Sequence, residues 1–307
     1  MDCIILAGSG ENYREVSEED NKAFLKVGDQ SILEWILLQL DRVPELDRLL
    51  LIGPKSRIET HLATDGIKTQ KPLLVFEQKN DLVENILFVF RTTQKEEDPN
   101  RCVLILPSDT PLLLAEEVRE FIQKSDMSRN DYHGGLTTEA ALRRFYPTDS
   151  KPGVKMTYFY FAEGCFRINN MHLVRPSAFQ KVHFIRRTYA MRYQKKWYNI
   201  LRMMANVLRM AMLIPTGPYV YFGMQLGRLG FESGWPRFGR FFQKQFPMSR
   251  IEGLISKVLG VRMSMVVTTL GGSAIDVDNE NDYRAICDRF GEWRKMQEDL
   301  VKQEAHT

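Results

Sequence analysis

Short apolar runs alternate with amphipathic stretches over the first 125 residues. Cys3–Leu6, Leu49–Ile52, Leu73–Phe76 and Cys102–Leu106 are continuous apolar runs, which predict buried strands. Between and after them, Ser31–Leu40, a short stretch ending near Leu62, Leu82–Phe90 and Ala115–Lys124 carry helical spacing. Ser31-Ile32-Leu33-Glu34 has the form of a capping box at the start of the first helix. Strands that are apolar on both faces and alternate with helices predict an α/β fold, a mainly parallel sheet covered on both sides. Ligands of such sheets sit outside the carboxyl ends of the strands.

The pattern changes after Gly134. Met156–Phe161 predicts a strand, Glu163-Gly164 a turn and Cys165–Ile168 a returning strand. Residues 175–260 read as helices interrupted at Pro215, Pro218, Gly230, Pro236 and Pro247, with a second capping box at Ser249-Arg250-Ile251-Glu252. Met263–Leu270 then predicts a strand, Gly271-Gly272 a turn and Ala274–Val277 a last strand. Asp278 or Asn279 caps a closing helix that runs to about Lys302. The expected organisation is a core of residues 1–174 and 261–307, interrupted by a helical insertion at 175–260.

Charge singles out that insertion. The chain of 307 residues carries a formal net charge of only +3. Between Arg175 and Arg250, however, stand 14 Lys or Arg and one acid, Glu232, whereas the remainder holds 28 bases and 38 acids. Such asymmetry points either to an anionic partner or to a basic face docked on the acidic remainder of the same molecule. Arg186, Arg187, Arg192, Lys195, Lys196, Arg202 and Arg209 are interleaved with aromatic residues, and Phe222, Phe231, Trp235, Phe238, Phe241, Phe242 and Phe246 follow. A lid or oligomer surface ranks first for this segment, peripheral contact with an anionic membrane second and nucleic acid third. Met203–Phe222 is the longest apolar stretch, and Arg209, Pro215 and Pro218 break it too often for a spanning helix. The amino terminus reads directly into a strand without a secretion signal, so a cytoplasmic protein is expected. Cys3, Cys102, Cys165 and Cys287 form no C-x-x-C pair and are expected to be small buried side chains.

Four segments carry candidate chemistry. Leu6-Ala7-Gly8-Ser9-Gly10 is a glycine-rich turn after the first strand, suited either to phosphate approach or simply to a tight turn. Lys22, in Asn21-Lys22-Ala23-Phe24, is either a phosphate ligand or an ordinary surface lysine. Asp109, in Pro107-Ser108-Asp109-Thr110-Pro111, lies at the carboxyl end of a buried strand, where it suits Mg²⁺ or a turn. Asp276 and Asp278 share one face of the last short strand, and Asp278 is a metal ligand, a helix cap or both. His61, His133, His172, His183 and His306 are scattered and form no readable triad.

In this order and context, the four segments resemble the nucleotidyltransferases of the GT-A-like fold. Among these the resemblance is to the MobA-like NTP transferases, relatives of molybdenum-cofactor guanylyltransferases and sugar-nucleotide pyrophosphorylases. It covers about residues 1–175 and 261–290. The resemblance implies a Rossmann-like sheet in which Leu6 to Gly10 grip the NTP phosphates, Lys22 assists, and Asp109 and Asp278 hold Mg²⁺. It places the base near Gln78–Asn85, where Asn80 and Asn85 are candidate contacts. Glu11-Asn12-Tyr13 depart from the family pattern, which leaves Arg14 as candidate for its loop arginine. Arg167, Asn169 and Asn170, after the hairpin, are candidates for acceptor binding. The implied reaction is Mg²⁺-dependent transfer of a nucleoside monophosphate from an NTP to a phosphorylated, sugar-phosphate-like acceptor, with release of pyrophosphate. Two alternatives stay open: a glycosyltransferase on the same fold, and a catalytically silent core tethered by its basic insertion.

Overall fold

The computed structural model describes residues 1–8, 16–17, 19, 21–93, 98, 100–179 and 216–304. Among them, eight strands form one sheet. These are β1 (Asp2–Leu6), β4 (Arg48–Gly53), β5 (Leu73–Glu77), β6 (Val103–Pro107), β7 (Tyr132–Thr138), β8 (Phe159–Phe161), β9 (Gly164–Val174) and β10 (Met263–Thr268), while β2 (Lys26–Val27) and β3 (Gln30–Ser31) make a separate hairpin. The sheet order is β10-β7-β9-β6-β1-β4-β5, with β8 paired to β9. β6, β1, β4 and β5 run parallel, as do β7 and β10; β9 runs against its neighbours.

The alternation of side chains sorts the core into two layers. Cys3, Ile5, Leu49, Leu51, Leu104 and Leu106 face α1 (Ile32–Asp41) and α4 (Ala115–Lys124), together with the closing helix. Ile4, Leu50, Ile52, Val103 and Ile105 face α3 (Leu82–Thr93). The remaining helices are α2 (Lys55–Thr64), α5 (Glu139–Leu142), α6 (Gly217–Glu232), α7 (Pro236–Gln243), α8 (Met248–Leu259) and α9 (Glu280–Glu304). Ser31 caps α1 as expected, accepting from the Glu34 N–H at 3.2 Å.

Several expectations need correction. Ala274–Val277 is not a strand: a single 3-10 turn (Gly272–Ala274) precedes extended chain, which no neighbouring strand pairs as a ladder. β8 starts only at Phe159, because the run from Met156 has no strand partner before that point. β7 was not anticipated, since Gly134 and Gly135 hide its alternation; Gly135 is needed there because a Cβ would collide with the Asn169 side chain. The Ser249–Glu252 box does not cap α8, which starts a residue earlier behind Pro247. Glu252 instead accepts from Ser264 Oγ and the Met265 N–H, fastening α8 to β10. Finally, only Cys3 of the four cysteines is buried; Cys102 and Cys165 are half-buried and Cys287 is exposed.

The chain passes out of β9 at Arg175 and enters β10 after Arg262, and both guanidiniums bind the Asp131 carboxylate, at 2.6 and 2.9 Å. Arg262 first, with Arg175, holds that carboxyl down at about 2.

Candidate active site

Parallel register brings the carboxyl ends of three strands together: Leu6 lies opposite Ile52 on one side and Pro107 on the other. The turn after β1 and the segment bearing Asp109 therefore leave the sheet side by side. Packing at this edge is close. The Ala7 N–H donates to the Ile52 carbonyl at 2.8 Å, and a Cβ on Gly53 would sit on the Ala7 carbonyl oxygen.

Asn21 ties the glycine turn to the lysine. Its buried side-chain amide donates to the Ala7 carbonyl at 2.9 Å, while its oxygen accepts from the Ala23 N–H at 3.0 Å. The second bond caps a 3-10 turn (Lys22–Phe24) and so fixes the start of the Lys22 side chain. Lys22 reaches inward, and only 12% of its side chain is exposed. Its ammonium lies 3.7 Å from Asp109 Oδ2 and 3.8 Å from Asp278 Oδ1.

The two aspartates come from segments far apart in sequence. Asp109 follows β6, and its backbone carbonyl accepts from the Val277 N–H at 3.0 Å. The approach to Asp278 is braced by Glu117, a fully buried α4 residue. Glu117 accepts from the Gly271 N–H (3.0 Å), the Ser273 N–H (2.9 Å) and the Ser273 and Thr268 hydroxyls (2.6 and 3.0 Å). Burial outweighs these donors and raises the carboxyl above its ordinary range. Asn279, not Asp278, caps α9: its oxygen accepts from the Asn281 and Asp282 N–H groups.

Negative charge is concentrated here. Asp276 pairs with Arg167 at 2.6 Å, and Asp282 lies near Asp276 and Asp278. Burial, and after it the Asp276 carboxylate, push Asp109 up to about 7 against the opposing pull of Lys22, with Asp278 adding to the rise. Asp282 is also raised, by burial first and then by Asp278 and Asp276. Lys22 and Arg167 thus face an excess of carboxylates, an arrangement receptive to a further cation. Among the described residues no three His, Cys, Asp or Glu side chains form a ready metal cage. Two hard carboxylates beyond the carboxyl ends of the strands suit Mg²⁺, which takes one or two protein carboxylates and completes its shell with substrate phosphates and water. The residues present fit that ion.

Other sequence-derived assignments change. Leu6 lies within the ladder and the Ala7 N–H is already donated, so a phosphate-binding run of amides can begin only at Gly8. Ser9, Gly10 and Arg14 lie outside the described residues. Asn169 is fully buried in a β9 bulge, where its amide donates to Thr268 Oγ1 at 2.9 Å and its oxygen accepts from the Met171 N–H at 3.3 Å. It is unavailable to an acceptor. Asn170 occupies the left-handed conformation of that bulge (φ 61°), and its amide meets the Ser273 carbonyl at 3.5 Å. Arg167 lies beside the cluster, but its guanidinium engages Asp276 and the Ala274 carbonyl, so it sets charge and position there. Asn85 is buried and accepts from the Lys79 N–H, which closes the loop after β5; Asn80 is exposed on that loop. The histidines stand apart from the cluster: His61 contacts Ser31, and His133 and His172 are built into the sheet. His183 and His306 lie outside the described residues.

Asn21, Glu117, Asp276 and Asp282 were not among the expected site residues. Asn21 adjoins the lysine and Asp276 and Asp282 adjoin Asp278, so proximity in sequence offered a signal for these three. Glu117 offered none, being one of several glutamates on an amphipathic helix.

Neither a protein-family model nor a curated protein sequence matches the chain. Among solved structures, a hypothetical transferase from Thermus thermophilus is similar at 22% identity and a TM-score of 0.62, over 92% of this chain and 98% of that one. The two share a fold. CMP:2-keto-3-deoxy-manno-octonic acid synthetase complexed with CTP is similar at 10% identity and a TM-score of 0.49, over 95% and 98% of the two chains. The 4-diphosphocytidyl-2C-methyl-D-erythritol synthase of Anaerococcus prevotii is similar at 12% identity and a TM-score of 0.47, over 95% of each chain.

Proposed function

We propose that the chain is a MobA-like, GT-A-fold nucleotidyltransferase that moves a nucleoside monophosphate from an NTP to a phosphorylated, sugar-phosphate-like acceptor. The observation that carries this reading is the position of Lys22 between Asp109 and Asp278, at the carboxyl edge of the parallel strands and tied through Asn21 to the glycine turn. The Thermus thermophilus chain with the same fold is itself described as a hypothetical transferase.

In the proposed reaction an acceptor oxygen attacks the α-phosphorus and forms an O–P bond. The bond from that phosphorus to the α–β bridging oxygen breaks, and pyrophosphate leaves with its electron pair. Mg²⁺ held by Asp109 and Asp278 would neutralise charge on the phosphates. Lys22 would bind the β- and γ-phosphates and steady the pyrophosphate as it departs. Gly8 lets the backbone approach those phosphates closely. Arg167 pairs with Asp276 and offsets its charge, so that this carboxylate repels the substrate less. A phosphate acceptor is already a nucleophile at neutral pH and needs no general base.

A glycosyltransferase would use a nucleotide-sugar at the same site. Separated aspartates with a lysine between them favour the triphosphate reading. Pyrophosphate release from each of the four NTPs, measured with a panel of sugar phosphates and Mg²⁺, tests the proposal. Release that requires one NTP and one acceptor supports it. Turnover of nucleotide-sugars to nucleoside diphosphates, without pyrophosphate release from any NTP, favours the glycosyltransferase.

A further inference from the structure

The helical hairpin of α6 and α7 buries its glycines and exposes its large side chains. Along α6, Val220, Gly223, Gly227 and Gly230 form the buried stripe. A Cβ at Gly223 would enter the Phe246 ring, and one at Gly230 would lie 2.7 Å from the Gly239 nitrogen, so both positions are closed to larger residues. One residue out of phase, Tyr219, Phe222, Leu226 and Leu229 form a second stripe that is 53%, 56%, 39% and 57% exposed. On α7 and the residue before it, Trp235, Phe238 and Phe241 recur every third position at 68%, 40% and 61% exposure. Helices on a water-facing surface ordinarily do the reverse.

Cations accompany this apolar surface. Arg237, Arg240, Lys244 and Arg250 are exposed, and the sole acid, Glu232, is paired to Arg228 at 2.7 Å. The adjoining sequence from Arg175 to Pro215 adds nine Lys or Arg and no acid. Among the described residues no helix is long and apolar enough to cross a membrane.

We propose that the α6–α7 hairpin docks on the surface of a phospholipid bilayer bearing anionic headgroups. Its rings and leucines enter the headgroup–acyl boundary, and Arg237, Arg240 and Lys244 meet lipid phosphates. A second copy of the chain would bring like charges face to face across a symmetric interface. A nucleic acid would use the cations and rings but leave Leu226 and Leu229 without a role. A bilayer accommodates all three kinds of side chain. The hairpin sits on β8, the partner strand of β9, through a Tyr160–Phe231 stack at 4.5 Å and a bond from Gln243 Nε2 to the Phe161 carbonyl at 2.9 Å. Arg167, which pairs with Asp276, lies on the same β9. Docking would therefore hold the β8–β9 pair, and with it Arg167, toward the lipid surface. The inference stands independently of the transfer chemistry.

The test is cosedimentation of the full-length protein with vesicles of phosphatidylcholine and phosphatidylglycerol, and with vesicles of phosphatidylcholine alone. Binding to the anionic vesicles that weakens with salt is expected. At about fivefold per cation, the triple variant Arg237→Gln/Arg240→Gln/Lys244→Gln should lose on the order of a hundredfold in partitioning. Phe222→Ser/Leu229→Ser/Phe241→Ser should also lose binding while keeping the wild-type melting curve, because these side chains are exposed. Nucleotide binding should be unchanged in both variants. The proposal is overturned if neither vesicle binds, if both variants bind like wild type, or if the apolar variant merely dissociates a dimer seen by light scattering.

Discussion

The backbone N–H of Val277 donates to the backbone carbonyl of Asp109 at 3.0 Å, joining two segments 168 positions apart. One segment follows the innermost pair of parallel strands; the other follows the edge strand and leads into the last helix. This bond explains how Asp109 and Asp278 come to face one lysine although no strand pairs their segments. The site is a crossing of loops held by backbone, with Glu117 underneath and Asn21 alongside.

Lys22→Ala should weaken Mg²⁺–NTP binding about tenfold to a hundredfold, the equivalent of roughly 1.5–3 kcal/mol for a hydrogen bond to a charged group. The variant should also be more destabilised at pH 8 than at pH 5. Removing the ammonium leaves the Asp109 carboxylate uncompensated only while it is ionised, and burial and its acidic neighbours push that carboxyl up to about 7. Isothermal titration and denaturant melts at the two pH values check both statements.

Asp109→Asn should separate stability from binding. The Asp109 carboxyl titrates near 7 in the folded chain, against an ordinary value of 3.8. Between these values the folded state holds the proton more tightly than the unfolded state, so this group's contribution to stability falls as pH rises from about 4 to about 7 and then levels off. Asparagine has no proton to lose, so the variant should lack that slope and match or exceed wild-type stability at pH 8. It should nevertheless lose Mg²⁺-dependent nucleotide binding. A variant less stable than wild type at pH 8, with the wild-type slope retained, would contradict the assigned charge balance.

Asn21→Ala removes an N-cap and the donor to the buried Ala7 carbonyl. A loss of about 1–3 kcal/mol is expected. Because the cap also places Lys22, nucleotide affinity should fall together with stability in denaturant melts and binding titrations.

Glu117→Gln is nearly isosteric but sets an amide among four donors. At least one donor is left unsatisfied, at a cost of about 1–3 kcal/mol. Hydrogen exchange should quicken from Gly271 to Asn279, while the distant Lys55–Thr64 helix should exchange as before.

Much of the parallel half was legible, because β1, β4 and β6 are buried on both faces and read as unbroken apolar runs. Lys22, Asp109 and Asp278 were singled out by the resemblance of their segments, and the structure brings both carboxylates within 4 Å of the lysine. Other features depended on the third dimension. β7 was hidden by Gly134 and Gly135, the second of which is there to admit the Asn169 side chain. Asn169 and Asn170 resembled ligand residues because a bulge uses the same polar, left-handed-tolerant side chains that a binding loop does. Arg167 was legible as a cation near the site, but its partner Asp276 depends on a contact between residues 109 positions apart.

The most direct test is equilibrium titration of the four NTPs into wild type, Lys22→Ala and Asp109→Asn, each with and without Mg²⁺. One NTP should bind wild type in a Mg²⁺-dependent manner, Lys22→Ala should weaken this binding, and Asp109→Asn should abolish the metal dependence. Failure of every NTP to bind folded wild type, or equal binding by all three proteins, would contradict the proposed function.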